Sequence, residues 1–554
     1  MKKLSSVLLS IVLAASALFP LAACGGGGDG PSASLQELGY QYEDTSAPII
    51  AEKGAQKYNI ISQKNAQADD FNDMKVLNDL EDSTHVDIEW QNLSAGQYAE
   101  QKNLIMSDRR NWPDSIYHAY FSDAEMIRYS TRKTFLAVSD YLEYMPNLSA
   151  ILEKRPDVKH MITMPDGKIW ALPRVEEMGL SSHPNLLFMN KNWLLQLIQD
   201  GTVDFLTAED VKDGLDLTVD QLAVILEGFK GDMNGNGKSD EIPLNFVYNN
   251  SFQGNQADLY SAFGFPANTD FKTVIDGKVT NTAVFDEYKE AINYYSDWVE
   301  RGLIPETVFE NSEDTFLASG KGVEKLGVFY WWEAETVVEH PENYIYLNPL
   351  IGPDGEQMVG LSNSPEISKC LAVVFADCPN PEILFTYYDR YYDPYVSAQI
   401  VYGPIGIVYE EELDENGMLV QKPIPEGLTA DEFRLKYAPM GVSYLSWETW
   451  ENYLNMEPRA KLRLENLEKY VNPFVPEDVE PFSNAVYTLE EINKLALYEQ
   501  NVYDYIAGME IQWLRGGGVT DEEWETYKND LKGLHVDEVF EIYQSGYERA
   551  VNGS

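Results

Sequence analysis

Tyr58-Asn59-Ile60-Ile61, Val86-Asp87-Ile88-Glu89-Trp90 and Asp114-Ser115-Ile116-Tyr117 are three short runs whose apolar or alternating pattern predicts β-strands. Residues 71–80 and 96–109, which lie between them, carry apolar side chains at helical spacing. Strand and helix in alternation are typical of a parallel sheet with crossover helices. The sequence therefore predicts an α/β fold.

The chain is too long for one hydrophobic core, since it has 554 residues. A second strand–helix unit begins with the buried-type run Leu186–Asn190, so we expect two lobes. We assign residues 55–172 and 363–440 to the first lobe, and residues 173–362 and 441–554 to the second. The last third of the chain is predicted to be mostly helical.

The N-terminus has the pattern of an export signal. Met1-Lys2-Lys3 precedes an apolar run over residues 4–21, and small residues then lead directly to Cys24. This ending resembles a bacterial lipoprotein signal, which implies a signal peptide over 1–23, lipidation of Cys24 and a flexible tether over 24–54. The alternative is an uncleaved transmembrane anchor, which the serines within the run disfavour. We expect the protein on the extracellular face of the cell membrane, held there by lipid.

The charge excludes some partners. The chain carries 90 acidic and 41 basic residues, for a formal net charge of −49. Such a surface repels nucleic acid and anionic lipid, so we expect no nucleic-acid partner. Most of these acids are expected to keep the protein soluble.

Cysteine usage excludes a disulfide framework, because the chain has only three cysteines. With Cys24 taken by lipid, Cys370 and Cys378 remain. They could form one bridge, but two separately buried thiols are favoured.

Asp232–Glu241 is the sharpest motif inside the chain. Oxygen-bearing side chains stand at its first, third and fifth positions and glycine at its sixth, as in the first half of an EF-hand loop. The closing glutamate of an EF-hand would fall on Pro243, so Glu241 would have to close the shell. An ordinary polar turn is the alternative. The candidate Ca²⁺ ligands are Asp232, Asn234, Asn236, the carbonyl of Lys238, Asp240 and Glu241.

Ligand-contacting residues are predicted from strand ends, because ligands of open α/β sheets sit at the carboxyl ends of strands. Aromatic rings there can stack on sugar faces, and carboxylates can bind hydroxyl groups. The sequence has no zincin motif, no Cys-x-x-Cys and no nucleophile elbow, which disfavours an enzyme. The candidate ligand-binding residues are Asp69, Asp70, Asp114, Trp331, Trp332 and Trp447.

Several segments together resemble the extracellular solute-binding lipoproteins of bacterial carbohydrate ABC importers. Within that family, the chain is most similar to the calcium-containing subgroup that includes alginate-binding and LplA-type proteins. The segments that carry the resemblance are 232–243, Trp112–Tyr117, Trp170–Pro173, Tyr402–Gly406, 521–527 and 544–549.

The resemblance implies a periplasmic-binding-protein-like fold in which two lobes close about a hinge, for which 169–174 and 360–365 are candidates. It also implies a structural Ca²⁺ on the six residues given above, a carbohydrate ligand, ABC permease subunits as partners, and no catalytic residues. We expect a monomer. A secreted lipoprotein glycoside hydrolase, or a binding protein for another solute such as a peptide, remains the alternative.

Overall fold

The computed structural model describes residues 33–177, 183, 185–251, 253–364, 366–456, 458–482 and 485–552. The predicted signal peptide and Cys24 lie outside the described residues. No helix within the described ranges combines the length and apolar composition that crossing a membrane requires.

The described residues form short strands in three sheets. The strands are β1 (Lys57–Gln63), β2 (Asp87–Leu93), β3 (Ser115–Tyr117), β4 (Leu172–Glu176), β5 (Leu186–Asn190), β6 (Ile242–Asn245), β7 (Lys272–Ile275), β8 (Lys278–Asn281), β9 (Leu326–Trp331), β10 (Tyr344–Leu347), β11 (Ile367–Val374), β12 (Ser443–Leu445) and β13 (Val479–Glu480).

Helices connect and cover these strands. They are α1 (Lys75–Thr84), α2 (Ala95–Ser107), α3 (Asp123–Thr131), α4 (Pro146–Lys154), α5 (Pro156–Ile162), α6 (Lys191–Gln199), α7 (Val219–Phe229), α8 (Ala257–Ser261), α9 (Asp286–Glu300), α10 (Glu313–Ser319), α11 (Ala334–Val337), α12 (Pro381–Asp389), α13 (Pro394–Tyr402), α14 (Ala430–Tyr437), α15 (Trp447–Asn452), α16 (Pro458–Tyr470), α17 (Leu489–Gly516), α18 (Asp521–Gly533) and α19 (Val536–Asn552).

Local sequence fixes where many of these helices begin. α2 starts at a capping box in which the Ser94 hydroxyl accepts from the Gln97 backbone and the Gln97 side chain accepts from Ser94. α17 and α18 begin in the same way at Thr488 and Thr520. These caps satisfy backbone N–H groups that the helix itself leaves without acceptors.

The first lobe is built on a six-stranded sheet in the order β12-β4-β11-β3-β1-β2. The pairings of β1 with β2 and β3, and of β4 with β12, are parallel, whereas β11 is antiparallel to both β3 and β4. The predicted alternation of strands and helices between residues 58 and 117 is confirmed, and with it the α/β class.

The second lobe has two sheets. One is four-stranded in the order β10-β5-β9-β6, and the other is three-stranded in the order β13-β7-β8. Its main core packs side chains of α7, α9 and β9 against the C-terminal helices α17–α19. Helices α17–α19 of the predicted helical C-terminal third are therefore part of the second lobe's core.

The structure moves two of the predicted lobe boundaries. β4 extends to Glu176 inside the first sheet, so 169–174 is wrong as a hinge. The first crossing lies between β4 and β5, and part of it is outside the described residues. β12 also pairs in the first sheet, and Leu454 packs in a first-lobe cluster, so residues 441–454 belong to the first lobe. The second crossing, 348–366, contains the predicted hinge 360–365, of which Pro365 lies outside the described residues.

The predicted tether is too long. Ile49 and Ile50 are buried in the first lobe's core, and the Tyr40 hydroxyl lies 2.7 Å from the Thr386 hydroxyl. Apolar burial thus fixes this segment to α12, which a purely Gly/Ser-rich tether could not achieve.

Cys370 and Cys378 are both buried unbridged thiols, and they lie in different core clusters. This confirms the expectation of two separate thiols.

A buried carboxylate ties the long helix α17 to the rest of the second lobe. Glu510 is fully buried and accepts hydrogen bonds from the hydroxyls of Tyr248 (2.7 Å), Tyr260 (3.0 Å) and Tyr288. Burial raises the pKa of Glu510, and the tyrosine hydroxyls oppose that rise. The three segments that carry these tyrosines are thereby joined to α17 at one side chain.

Glu510→Ala should unfold the second lobe at lower denaturant concentration, because it leaves three buried hydroxyls without their acceptor. We expect a loss of at least about 3 kcal/mol, since each stranded group costs about 1–3 kcal/mol. Glu490→Ala on the exposed face of the same helix is the matched control, expected within about 0.5 kcal/mol of the parent. Urea unfolding followed by circular dichroism measures both, and equal midpoints would contradict the role given to Glu510.

Candidate functional site

The strand directions place one row of strand ends in the first sheet opposite one row of strand ends in the four-stranded sheet of the second lobe. Each such row is called the cleft edge of its sheet. The chain leaves the first sheet at the carboxyl ends of β4 and β12, and it returns at the amino end of the antiparallel β11, which lies on the same edge. In the second lobe it arrives at the amino end of β5 and departs from the carboxyl end of the antiparallel β10. The first two crossings therefore join these two edges, and the third leads from the same edge of the first sheet through α15 to α16 of the second lobe. A cleft between the lobes lies at these edges.

Tyr120 stands on the first-lobe side of this cleft, just past the carboxyl end of β3. Its side chain is 51% exposed, and its φ of 44°, like the φ of 59° at His118, lies in the left-handed region. Below it the buried His118 ring is nearly parallel, with centroids 5.8 Å apart, and its nitrogens lie 2.8 Å and 3.1 Å from the carbonyls of Gln63 and Met440. Strained backbone of this kind is typical of functional sites. The exposed Tyr120 ring thus lies against a His118 ring whose own position is fixed by hydrogen bonds.

Trp447 stands on the same edge, in the first turn of α15, and is 45% exposed. Its backbone N–H donates to Glu177 Oε2 at 3.2 Å, which links it to the first crossing. Beside it Glu176 pairs with Arg174 and accepts from the Tyr402 hydroxyl at 3.0 Å. Burial alone would raise the pKa of Glu176, but the guanidinium groups of Arg174 and Arg434 and the hydroxyl of Tyr402 together hold this pKa below its usual range.

Trp331 does not face the cleft. It is 2% exposed and stacks on Phe316 with centroids 4.9 Å apart. Gly254, at φ +66°, lies against its ring, where any side chain would overlap it. The prediction that Trp331 contacts the ligand is corrected on this point, because the last residue of β9 turns its side chain into the core.

Trp332 and Glu333 follow β9 at the cleft edge of the second lobe. The Arg463 guanidinium lies 5.0 Å from the Trp332 ring, a cation–π distance. Glu333 is buried, and its carboxylate meets Arg459 at 2.8 Å and Arg463 at 3.8 Å. Burial raises the pKa of Glu333, and both arginines oppose that rise. Trp332 therefore sits among polar groups, unlike its neighbour Trp331.

A small polar cavity of about 30 Å³ lies where the first two crossings meet the second lobe. His183, Asn185, Asn255, Asp258 and Asn363 line it. Burial raises the pKa of Asp258 to about 7, while Asn185 opposes that rise. Amide and carboxyl groups dominate this wall, which suits hydrogen bonding to hydroxyl groups.

The predicted carboxylates separate into two places. Asp70 caps a 3₁₀ turn and accepts from the Asn92 side chain at 2.8 Å, close to the carboxyl end of β2. Asp69 precedes it, so both lie towards the cleft edge. Asp114 lies at the amino end of β3, where it accepts from the Asn59 backbone at 2.8 Å. The prediction for Asp114 is corrected, because it is at the opposite edge of the sheet.

The Asp232–Glu241 loop folds around its own oxygens. Asp232 Oδ2 accepts from the Gly237 backbone at 2.9 Å, Asn234 Oδ1 from Asn236 at 3.0 Å, and Asn236 Oδ1 from Lys238 at 2.8 Å. Alternate side chains thus turn towards the inside of the loop, as the sequence spacing predicts.

The loop closes through its two last acids. Glu241 Oε1 accepts from the backbones of Met233 (2.8 Å) and Asn234 (3.1 Å), while its Oε2 is buried without a hydrogen-bond partner among the described residues. Asp240 pairs with Lys325 at 2.8 Å, and this pairing holds the pKa of Asp240 below its usual range. A buried carboxylate oxygen with no donor fits a cation ligand.

Among the described residues, no group of three or more His, Cys, Asp or Glu side chains is gathered closely enough to hold a metal. The loop reaches six candidate ligands only by adding two amides and a backbone carbonyl, which suits Ca²⁺ more than a transition metal.

Tyr120 and Arg459, like the cavity residues Asn185, Asn255 and Asp258, are not among the candidates predicted from the sequence. Tyr120 could have been found from its place directly after β3. Arg459 could not, because its partners are 28 and 126 residues away along the chain.

A curated relative matches nearly the whole chain. The fructooligosaccharide ABC transporter substrate-binding protein FusA of Streptococcus pneumoniae is 31% identical over 555 residues, covering 98% of this chain and 97% of the relative. A solved structure of FusA in complex with kestose is 29% identical with a TM-score of 0.81, covering 90% of this chain and 100% of that one. An EF-hand mutant of FusA in complex with fructo-nystose gives the same values. No family model matches the chain.

More distant structures share the fold. An HMO-binding, ABC-transporter-associated solute-binding protein from Bifidobacterium longum infantis is 22% identical with a TM-score of 0.72, covering 90% of this chain and 99% of that one. The alginate-binding protein AlgQ2, solved without calcium ion, is 18% identical with a TM-score of 0.65, at the same coverage. The two-lobed architecture is therefore common to all of them.

Proposed function

Since the chain belongs to the family of ABC-transporter substrate-binding proteins, we propose that it captures an oligosaccharide outside the cell and delivers it to an ABC importer. The observation that carries this proposal is the match to FusA along 98% of the chain. Proteins of this family bind and release their substrate, so the chain is not an enzyme and needs no catalytic residues.

The cleft supports a carbohydrate ligand. Tyr120 and Trp447 offer half-exposed rings on the first lobe, and flat apolar rings pack against the C–H faces of sugars. On the second lobe, Asn185, Asn255 and Asp258 line a small polar cavity beside the crossings. FusA was solved with kestose and with fructo-nystose, so we propose a fructooligosaccharide as the ligand of this chain too.

Kestose should bind the purified protein without being cleaved, and Tyr120→Ala or Trp447→Ala should each weaken binding by about 1–3 kcal/mol through loss of a large apolar contact. Isothermal titration calorimetry measures the affinity, and chromatography of the recovered sugar shows whether it is intact. Leu497→Ala, an exposed apolar residue on α17, is the control and should bind like the parent.

Unchanged affinity in both aromatic variants would refute the stacking assignment. Cleavage of kestose would instead favour a glycoside hydrolase, and no binding of any oligosaccharide would refute the proposed function.

We propose a structural Ca²⁺ in the Asp232–Glu241 loop, on the six residues predicted from the sequence. The inward-turned side-chain oxygens and the buried Glu241 Oε2 support it, as does the existence of an EF-hand mutant of FusA, which indicates an EF-hand in that relative. The ion would neutralise the loop's carboxylates and fix the connection between α7 and β6.

Chelation with EGTA should lower the melting temperature, because an ion that binds only the folded protein stabilises it by mass action. The double variant Asp232→Ala with Asp240→Ala should melt at one temperature with or without EGTA. Asp200→Ala, on an exposed turn outside the loop, should keep the parent's sensitivity. Identical melting of the parent in EGTA and in Ca²⁺, with no calcium by elemental analysis, would contradict the site.

We propose that lipid on Cys24 holds the protein, as a monomer, at the extracellular face of the membrane. The small residues before Cys24 and the preceding apolar run support this anchor. Anchoring the protein to the membrane would raise its local concentration near the permease.

Cys24→Ala should abolish incorporation of labelled palmitate and move the protein from the membrane fraction to the medium or to an unprocessed form. Cys370→Ala is the control and should leave labelling unchanged. Absence of label on the parent would overturn the anchor.

A further inference from the structure

Arg459 lies at the third crossing, where α16 begins, and its guanidinium contacts a carboxylate from each lobe. One nitrogen donates to Glu333 Oε1 at 2.8 Å, and another donates to Asp431 Oδ1 at 3.3 Å. A side chain on a connecting segment therefore bridges the two bodies that the segment connects.

Asp431 belongs to the first lobe. It lies on α14, whose Phe433 packs in one cluster with Tyr402 and Leu445. The carbonyl of Lys436, on the same helix, accepts from the backbone of Asp69 at 3.0 Å. Movement of the first lobe would therefore carry Asp431 with it.

Glu333 belongs to the second lobe, since it directly follows β9. Its side chain is only 3% exposed, whereas those of Arg459 and Asp431 are about a quarter exposed. A buried carboxylate is costly unless cations stay beside it, so Glu333 favours every arrangement that keeps Arg459 in place.

The bridge also reaches an aromatic ring at the cleft. Arg463, one turn along α16, meets Glu333 at 3.8 Å and covers the Trp332 ring at 5.0 Å. On the first-lobe side, Arg434 meets Asp431 at 3.6 Å and covers the Tyr402 ring at 5.4 Å. A continuous chain of ion pairs thus connects the Trp332 ring on the second lobe to α14 on the first lobe.

We propose that Arg459 is a positioning residue, that it holds the two lobes in the arrangement of this structure, and that this arrangement is the closed, binding-competent one, so that the bridge raises affinity for the ligand. The proposal rests on the proposed function, because closure matters only if the cleft binds a ligand. If the closed form is the binding-competent one, lowering its population raises the apparent Kd by the same factor.

The test uses Arg459→Gln and Asp431→Asn, singly and together, in the purified protein. Each single variant should raise the Kd for kestose about tenfold, a typical coupling between sites, and the double variant should do no more than either. Small-angle scattering should show a larger radius of gyration for each variant than for the parent, in the absence of sugar. Arg459→Lys should raise the Kd and the radius of gyration less than Arg459→Gln does, because lysine keeps the positive charge.

Arg515→Gln is the matched control, because Arg515 pairs with Glu306 at 2.8 Å inside the second lobe. This substitution should leave both the Kd and the radius of gyration unchanged. Asp431→Asn leaves the buried Glu333 and its arginines intact, so a folding failure of Arg459→Gln would not decide the result. Parent-like Kd and radius in Asp431→Asn would overturn the proposal. If the parent itself fails to bind kestose, the fructooligosaccharide assignment fails, and the scattering of sugar-free variants alone then supports or overturns the bridge.

Discussion

The direction of the strands is the constraint on which the rest of the structure depends. Five strands of the first sheet run one way and β11 runs the other, so every crossing between lobes meets that sheet at a single edge. The second lobe presents the matching edge because β5 is antiparallel to β9 and β10. The cleft follows from this geometry, whatever side chains line it.

The side chains then divide the work between core and cleft. Trp331 and Trp332 are adjacent, yet alternation along β9 turns the first into the core and leaves the second beside Arg463. Tyr120 takes a left-handed backbone conformation that keeps its ring exposed at a strand end. Such strain is stable because the buried His118 and the strand pairing around it determine the conformation.

Charge has two different distributions in this protein. Acidic residues outnumber basic ones by more than two to one along the chain as a whole. Between the lobes, however, Arg434, Arg459 and Arg463 gather around Asp431 and Glu333. Exposed ion pairs contribute little to stability, whereas breaking a buried pair is costly, and this difference is the physical basis of the role proposed for Arg459. The second lobe is itself tied together at Glu510, where hydroxyls rather than cations surround the carboxylate.

Features that depend on local order along the chain could be predicted from the sequence. Alternation between residues 58 and 117 predicted the parallel pairing of β1, β2 and β3, and the spacing in Asp232–Glu241 predicted a loop that turns its oxygens inward, because both patterns arise within short stretches of chain. The lobe boundaries follow instead from long-range contacts, since the pairing of β12 with β4 joins residues about 270 positions apart. The tertiary structure also decided that Trp331 is core, that Asp114 lies at the wrong edge, and that Arg459 bridges the lobes. Each of these outcomes depends on which distant segment packs against the residue, and the local pattern of apolar and polar residues does not indicate such long-range contacts.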